Sequence, residues 1–283
     1  MKARLLHSLF ILNLLIFAEF VLSDAPSKDI RALKEQSMMS VLYQQTSAER
    51  LAGSIQTFKA AKLALNEALK DPTWTALPGQ KNFNNKKPAI IVDVDETVLD
   101  NTAYEARMII DGTKYPEGWI GWANEAVATA VPGAKDFLSY AHSKGITIFY
   151  ITNRVAELKE ATQKNLTKLG IPWDESKETI LMRGEKNWGI DKGPRRRLVG
   201  DQYRVLLIAG DNLGDFVDAK DNNLSFLDRK EIVTKYSQYW GTKWFLFQNI
   251  TYGDWEGSLY NFDYSLSPNE THQARLNALQ PSR

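Results

Sequence analysis

The run Ala89-Ile-Ile-Val92 is short, wholly apolar and stopped by Asp93, with a second carboxylate at Asp95. So brief an apolar run reads as a strand buried on both faces, which requires a parallel sheet covered by helices on each side. Similar runs recur at Ile146–Ile151, Thr179–Met182, Val205–Ala209 and Trp244–Phe247. Between them the apolar residues fall at helical spacing, as in Leu158, Ala161, Leu166 and Leu169, with Gly170 as a stop. The alternation predicts an α/β fold: a Rossmann-like, doubly wound parallel sheet with right-handed crossovers and core strands starting at 89, 146, 179, 205 and 244. Helices are expected over 30–70, the second opened by a capping box at Thr46-Ser-Ala-Glu49 and carrying the stripe Leu51, Ile55, Phe58, Leu65 and Leu69. An aromatic-rich insert at about 101–130 predicts a small cap, with 217–240 as a second candidate for that role.

In open α/β sheets the chemistry gathers beyond the carboxyl ends of the strands. Here those ends carry Asp93 with Asp95, Thr152 with Asn153, and Asp211 with Asp215. One acidic turn after a strand is ordinary, because aspartate favours turns. Carboxylates and a hydroxyl at successive ends that share an edge are not expected from independent turns.

Composition narrows what such a site can do. There is no cysteine, and of three histidines only His142 and His272 lie outside the first 23 residues. Thiolate sites, disulfides and a cysteine nucleophile are excluded, and a histidine-rich zinc site has few ligands to draw on. Hard oxygen donors without thiolate or imidazole suit Mg²⁺, with Asp93 and Asp211 as candidate ligands and a backbone carbonyl near Asp95. A carboxylate can attack phosphorus directly. The lysine ammonium of Lys192 and the Thr152 hydroxyl can then meet charge on the transferring oxygens, while Asp95 serves as acid and base.

The net charge is +1, and Lys2, Arg4 and Glu19 account for it, so the remainder is neutral. No broad basic face for a nucleic-acid polymer is implied. Residues 1–23 have the form of a secretory signal: Lys2 and Arg4, an apolar run from Leu5 to Leu22, and Val21-Leu22-Ser23 before Asp24. The expectation is a signal peptide at 1–23, one domain at 24–283 and a secreted or periplasmic protein without a stable membrane span once the leader is cleaved. An uncleaved leader acting as anchor is the alternative, and self-association is left open.

Several ordered segments carry a resemblance: Gln45-Thr-Ser-Ala-Glu49, Asp93-Val-Asp-Glu-Thr97, Pro132-Gly133, Ile151-Thr-Asn-Arg154, Lys192-Gly-Pro-Arg-Arg196, Gly210-Asp-Asn-Leu-Gly-Asp-Phe216, and Asn249 through Tyr252-Gly253 to Trp255-Glu256. Together they resemble the haloacid dehalogenase-like (HAD) phosphatases, and within them the class C or DDDD acid phosphatases, which include the lipoprotein e type of 5′-nucleotidase. The resemblance implies Asp93 as nucleophile and Asp95 as acid and base. It implies Mg²⁺ among Asp93, Asp95, Asp211 and Asp215, with Asp215 orienting Lys192 or a metal-bound water. Small phosphomonoesters, nucleoside monophosphates often among them, are the implied substrates at acidic pH. Many relatives carry a lipid on a cysteine behind the signal; Ser23-Asp24 stands there instead.

Phosphate contacts are expected from Thr152, Asn153 and Lys192, with Lys192 preferred to Lys186 because Lys-x-x-Arg matches the family. Tyr104 and Tyr252 are the candidates for stacking on a base; Trp119, Trp122, Tyr236 and Trp240 read first as core. Arg195-Arg-Arg197 reads as a solvated helix face. The rivals are a non-catalytic binding, storage or surface-receptor protein that keeps the sheet, and another HAD reaction such as a phosphomutase or dehalogenase.

Overall fold

Ile90 and Val92 face one side of a sheet while Ala89 and Ile91 face the other, and each pair is buried against its own layer of helices. The computed structural model describes residues 28–281, so the signal expected at 1–23 lies outside the described residues. Its strands are β1 (Pro88–Val92), β2 (Leu99–Asp100), β3 (Thr129–Ala130), β4 (Thr147–Val155), β5 (Ile180–Arg183), β6 (Arg204–Gly210) and β7 (Trp244–Leu246). Five form one sheet in the order β5-β4-β1-β6-β7, every adjoining pair parallel. β1 is central, with Ile91 in register with Phe149 of β4 and Ile208 of β6. The expected strands are all present, within a residue at their starts.

The helices are α1 (Lys28–Glu35), α2 (Met38–Thr46), α3 (Ala48–Lys70), α4 (Thr102–Asp111), α5 (Trp119–Glu125), α6 (Ala134–Ser143), α7 (Lys159–Leu169), α8 (Gly193–Gln202), α9 (Ala219–Asn222), α10 (Phe226–Lys235), α11 (Asp254–Gly257) and α12 (Pro268–Ala278). α3, α6 and α7 cover one face of the sheet through Phe58, Leu65, Phe137, Leu138 and Leu166. On the other face, Val199 of α8 and the aromatics of 236–240 pack with Ile91, Ile208 and Trp244. Tyr236, Tyr239 and Trp240 surround Trp244 with ring centroids 5.0, 4.6 and 5.1 Å away. The segment 217–240 is therefore packed to the flank of the sheet.

Two local expectations need correction. The side chain that caps α3 is Ser47, which accepts from the Arg50 amide at 2.9 Å, because Thr46 still belongs to α2 and bonds back to Leu42 O at 2.7 Å. The buried stripe of α3 is Ser54, Phe58, Ala61, Leu65 and Ala68, so the period is right, but Leu51 is exposed and Ile55 only half-buried. β4 also runs past its apolar part: its register with β5 shifts between Thr152 and Val155, which draws Thr152, Asn153 and Arg154 into the strand.

Between β1 and α6 an antiparallel ribbon, Leu99 against Ala130 and Asp100 against Thr129, closes off α4 and α5. Tyr104, Met108 and Trp122 from this insert are buried in the same core as Val92 and Leu99. The first and last described helices meet on one side. Arg275 of α12 bonds Gln36 at 2.8 Å and pairs with Glu256, and Gln36 also meets His272 at 2.9 Å. α1 in turn grips α4, through Lys34 to Glu105 at 2.7 Å and Arg31 to the carbonyl of Ile110 at 3.1 Å. Among the described residues no helix is long and apolar enough to cross a membrane.

Candidate active site

The chain leaves β1 for β4 and β5 on one side, then returns to place β6 and β7 on the other. The reversal opens a crevice between β1 and β6, where ligands of such sheets bind. Asp93 and Asp211 stand at the carboxyl ends of these two strands. The Asp93 amide donates to Ala209 O at 2.9 Å, so the sheet pairing itself sets where the carboxylate emerges.

Asp93, Asp211 and Asp215 each place a carboxylate oxygen within 4.8 Å of the other two. Lys192, the residue before α8, reaches across 99 residues of sequence to bond Asp93, and it bonds Asp215 at 2.6 Å. The second oxygen of Asp215 accepts from the Asn212 amide at 2.9 Å, so this residue caps a helical turn and holds the lysine at once. Gly210 makes room for it, since a Cβ there would lie 2.3 Å from Asp215 Oδ2. Asp211 is steadied by Asn249 Nδ2 at 2.9 Å. Lys186 bonds Glu178 at the surface, at 2.6 Å, away from this cluster.

The electrostatics follow from burial and crowding. Burial, opposed by Lys192 and reinforced by the charges of Asp215 and Asp95, pushes Asp93 up to about 7. Burial and then the charges of Asp93, Asp215 and Glu96 hold Asp211 well above the usual carboxylate range. Burial works to lower Lys192, but Asp215 and Asp93 hold it above its ordinary value, so it stays charged. Three hard oxygens whose mutual repulsion a cation would relieve are a fitting donor set for a divalent ion of the magnesium kind.

The Asp95 side chain lies outside this trio. It accepts from Arg154 Nε at 2.9 Å and Nη2 at 2.8 Å, from Asn101 Nδ2 at 2.8 Å and from the Thr152 hydroxyl at 3.3 Å. Arg154 is buried, bonds Thr162 Oγ1 at 3.1 Å and lies 5.4 Å over the Trp119 ring. Beside Asp95, Glu96 turns the chain with φ +57° and is buried. Burial and then the Asp95 charge hold Glu96 well above its ordinary range, against the hydrogen bonds from Tyr252 and Asn101.

Other expected residues are placed as follows. Thr152 is fully buried, and its hydroxyl also accepts from the Arg154 amide at 3.0 Å. Asn153 Oδ1 accepts from Arg195 Nη2 at 2.6 Å. Tyr104 has no free ring face: it is 4% exposed, its hydroxyl donates to Glu117 O at 2.8 Å, and its ring meets Trp119 edge-on at 5.2 Å. Tyr252 is half-buried with its hydroxyl donating to Glu96. The solvated face expected at 195–197 holds only for Arg197. Arg195 bonds Thr152 O at 2.6 Å and Arg196 bonds Gly214 O at 2.8 Å, so both guanidinium groups are buried as ties between strand-end loops. Arg154, Arg195, Glu96, Asn101 and Asn249 are thus site residues given no role from sequence, although all but Asn101 stand in or beside the motif segments.

Comparison with known proteins places the chain in a family. A family model described as HAD superfamily, subfamily IIIB (Acid phosphatase), matches residues 28–255. The class C acid phosphatase from Bacillus anthracis is 38% identical over 89% of this chain and 99% of that one, with a TM-score of 0.78. A structure described as class C acid phosphatase from the same organism with tungstate bound gives 38% identity and a TM-score of 0.79, over 88% of this chain and 99% of the other. The fold is that of the HAD superfamily. Within it the chain belongs to subfamily IIIB, the acid phosphatases, and is a phosphoric monoester hydrolase.

Proposed function

We propose that this acid phosphatase is an exported, Mg²⁺-dependent enzyme that hydrolyses small phosphomonoesters, nucleoside 5′-monophosphates among them, through a phosphoaspartate on Asp93. The observation that carries the reading is the meeting of Asp93, Asp211 and Asp215 with Lys192 at the sheet's reversal point. Lys192 fixes the Asp93 carboxylate from one side, leaving its other oxygen to attack phosphorus in line with the departing ester oxygen. Asp95, held by Arg154 and Asn101, gives a proton to that leaving oxygen and then takes one from the water that cleaves the phosphoaspartate. Thr152, Asn153 and the Lys192 ammonium supply donors to the phosphoryl oxygens. When bound by Asp93, Asp211 and Asp215, Mg²⁺ would neutralise charge that builds on those oxygens.

The tungstate described for the Bacillus anthracis relative is a tetrahedral oxyanion, which supports a phosphate-shaped site here. Export is supported by the leader pattern. The span 24–283 reads as one phosphatase domain, with α4 and α5 as its cap. The test is turnover of a chromogenic phosphomonoester with and without EDTA, followed by a panel of nucleotides, sugar phosphates and aromatic phosphates. Asp93→Asn should abolish turnover while a Mg²⁺-dependent thermal shift persists. Full activity in that variant would remove Asp93 from the nucleophile's role.

A further inference from the structure

A buried glutamate with positive φ is an uneconomical way to build a turn. A non-glycine residue in the left-handed region carries strain, and burying a carboxylate adds desolvation, so both persist only where the surroundings impose them. Glu96 meets both conditions, at φ +57° and 4% exposed. Its amide donates to Leu99 O at 2.8 Å, so a small polar residue could close the same turn. What the carboxylate adds is acceptors. Oε1 takes the Asn101 amide at 2.7 Å, and Oε2 takes the Tyr252 hydroxyl and, at 3.4 Å, Asn101 Nδ2.

These bonds close an arc behind the crevice. Asp211 is held by Asn249 Nδ2, while Asn249 Oδ1 accepts from the Thr251 amide at 3.0 Å and the Tyr252 amide at 3.4 Å. Tyr252 donates to Glu96, Glu96 fixes Asn101, and Asn101 donates to Asp95 at 2.8 Å while accepting from Trp122 at 3.0 Å and Arg154 at 3.3 Å. The arc therefore runs from the loop after β7 to the base of the insert. The geometry points to Glu96 as the positioning residue for Asp95: it sets Asn101, which aims the Asp95 carboxylate, and Tyr252 ties that setting to the loop that holds Asp211. The inference rests on the reading of Asp95 as acid and base given above.

The distinguishing readout is the leaving group. An alkoxide needs a proton as it departs, whereas nitrophenolate leaves without one, so a misaimed Asp95 penalises an alkyl phosphomonoester far more than nitrophenyl phosphate. Glu96→Ala should lower kcat/KM for the alkyl ester by about 100-fold and for nitrophenyl phosphate by less than about tenfold. Inhibition by inorganic phosphate should stay within about threefold, because Lys192 and Thr152 are untouched. Glu96→Gln keeps an acceptor for the Asn101 amide and should recover most of the loss; Tyr252→Phe should show the same selectivity, more weakly. Equal losses on the two esters, or none, would overturn the proposal. If Glu96→Ala does not fold, the selectivity of Glu96→Gln and Tyr252→Phe decides by the same criterion. Asp95→Asn, assayed alongside, separates the failures: an active Asp95→Asn enzyme defeats the acid-base reading itself, whereas an inactive one beside an unselective Glu96→Ala defeats only the role given to Glu96.

Discussion

Lys192 is a buried cation held between two acids, Asp93 and Asp215. Its removal takes away a donor aimed at the phosphoryl oxygens, and losing one such preorganised donor lowers kcat by about 100- to 1000-fold. Lys192→Met should therefore show a loss of that size in steady-state kinetics, and it leaves two carboxylates facing each other without their counter-charge. A variant within a few-fold of wild-type kcat would show that the lysine only pairs charges. At this scale the acids were legible because each ends an apolar strand, where any polar residue stands out. Glu96 and Arg154 were not, since what singles them out is a backbone dihedral and a burial that no spacing encodes. Arg195 and Arg196 were misleading for a related reason: a basic run looks solvated until strand-end carbonyls are there to accept from it.

At the level of elements, the strands were readable because both faces of the sheet are covered, leaving uniformly apolar runs. The bulge that extends β4 through Arg154 was not readable, because it depends on register with β5. On α3 the period survived and Phe58 and Leu65 are buried as expected, while the small residues Ser54, Ala61 and Ala68 complete the buried face and Leu51 is exposed. The grip of α1 on α4 gives a prediction here. Burial, opposed by Lys34 and joined by the Glu256 charge, holds Glu105 above its ordinary value of 4.5. The folded state then binds this proton more tightly than the unfolded chain. Its contribution to stability is full below pH 4.5 and is lost as the pH rises through the folded value. The Tm of the wild type minus that of Glu105→Gln should accordingly fall as the pH rises above 4.5. A difference that grows with pH would mean that the pair with Lys34 outweighs burial.

For the whole molecule, the reversal between β1 and β6 brings together side chains that are remote in sequence, and a cation held by Asp93, Asp211 and Asp215 would join those two strands to the loop after β6. A ligand that binds only the folded state stabilises it by about 2.7 kcal/mol at a hundredfold excess over Kd. In a domain of this size each kcal/mol moves Tm by about 2–4 °C. Saturating Mg²⁺ should thus raise Tm by about 5–11 °C over the EDTA-treated protein in differential scanning fluorimetry. No shift, with activity intact in EDTA, would count against a cation at these three acids. The terminal helices have a different bearing on the same architecture. α1 and α12 hold each other through Arg275, Gln36 and His272, while Glu256 links them to the loop behind the crevice. A tensile load applied through these two helices is borne first by that polar clasp and not by the sheet, so α1 and α12 are the elements to peel away while the catalytic rim stays assembled.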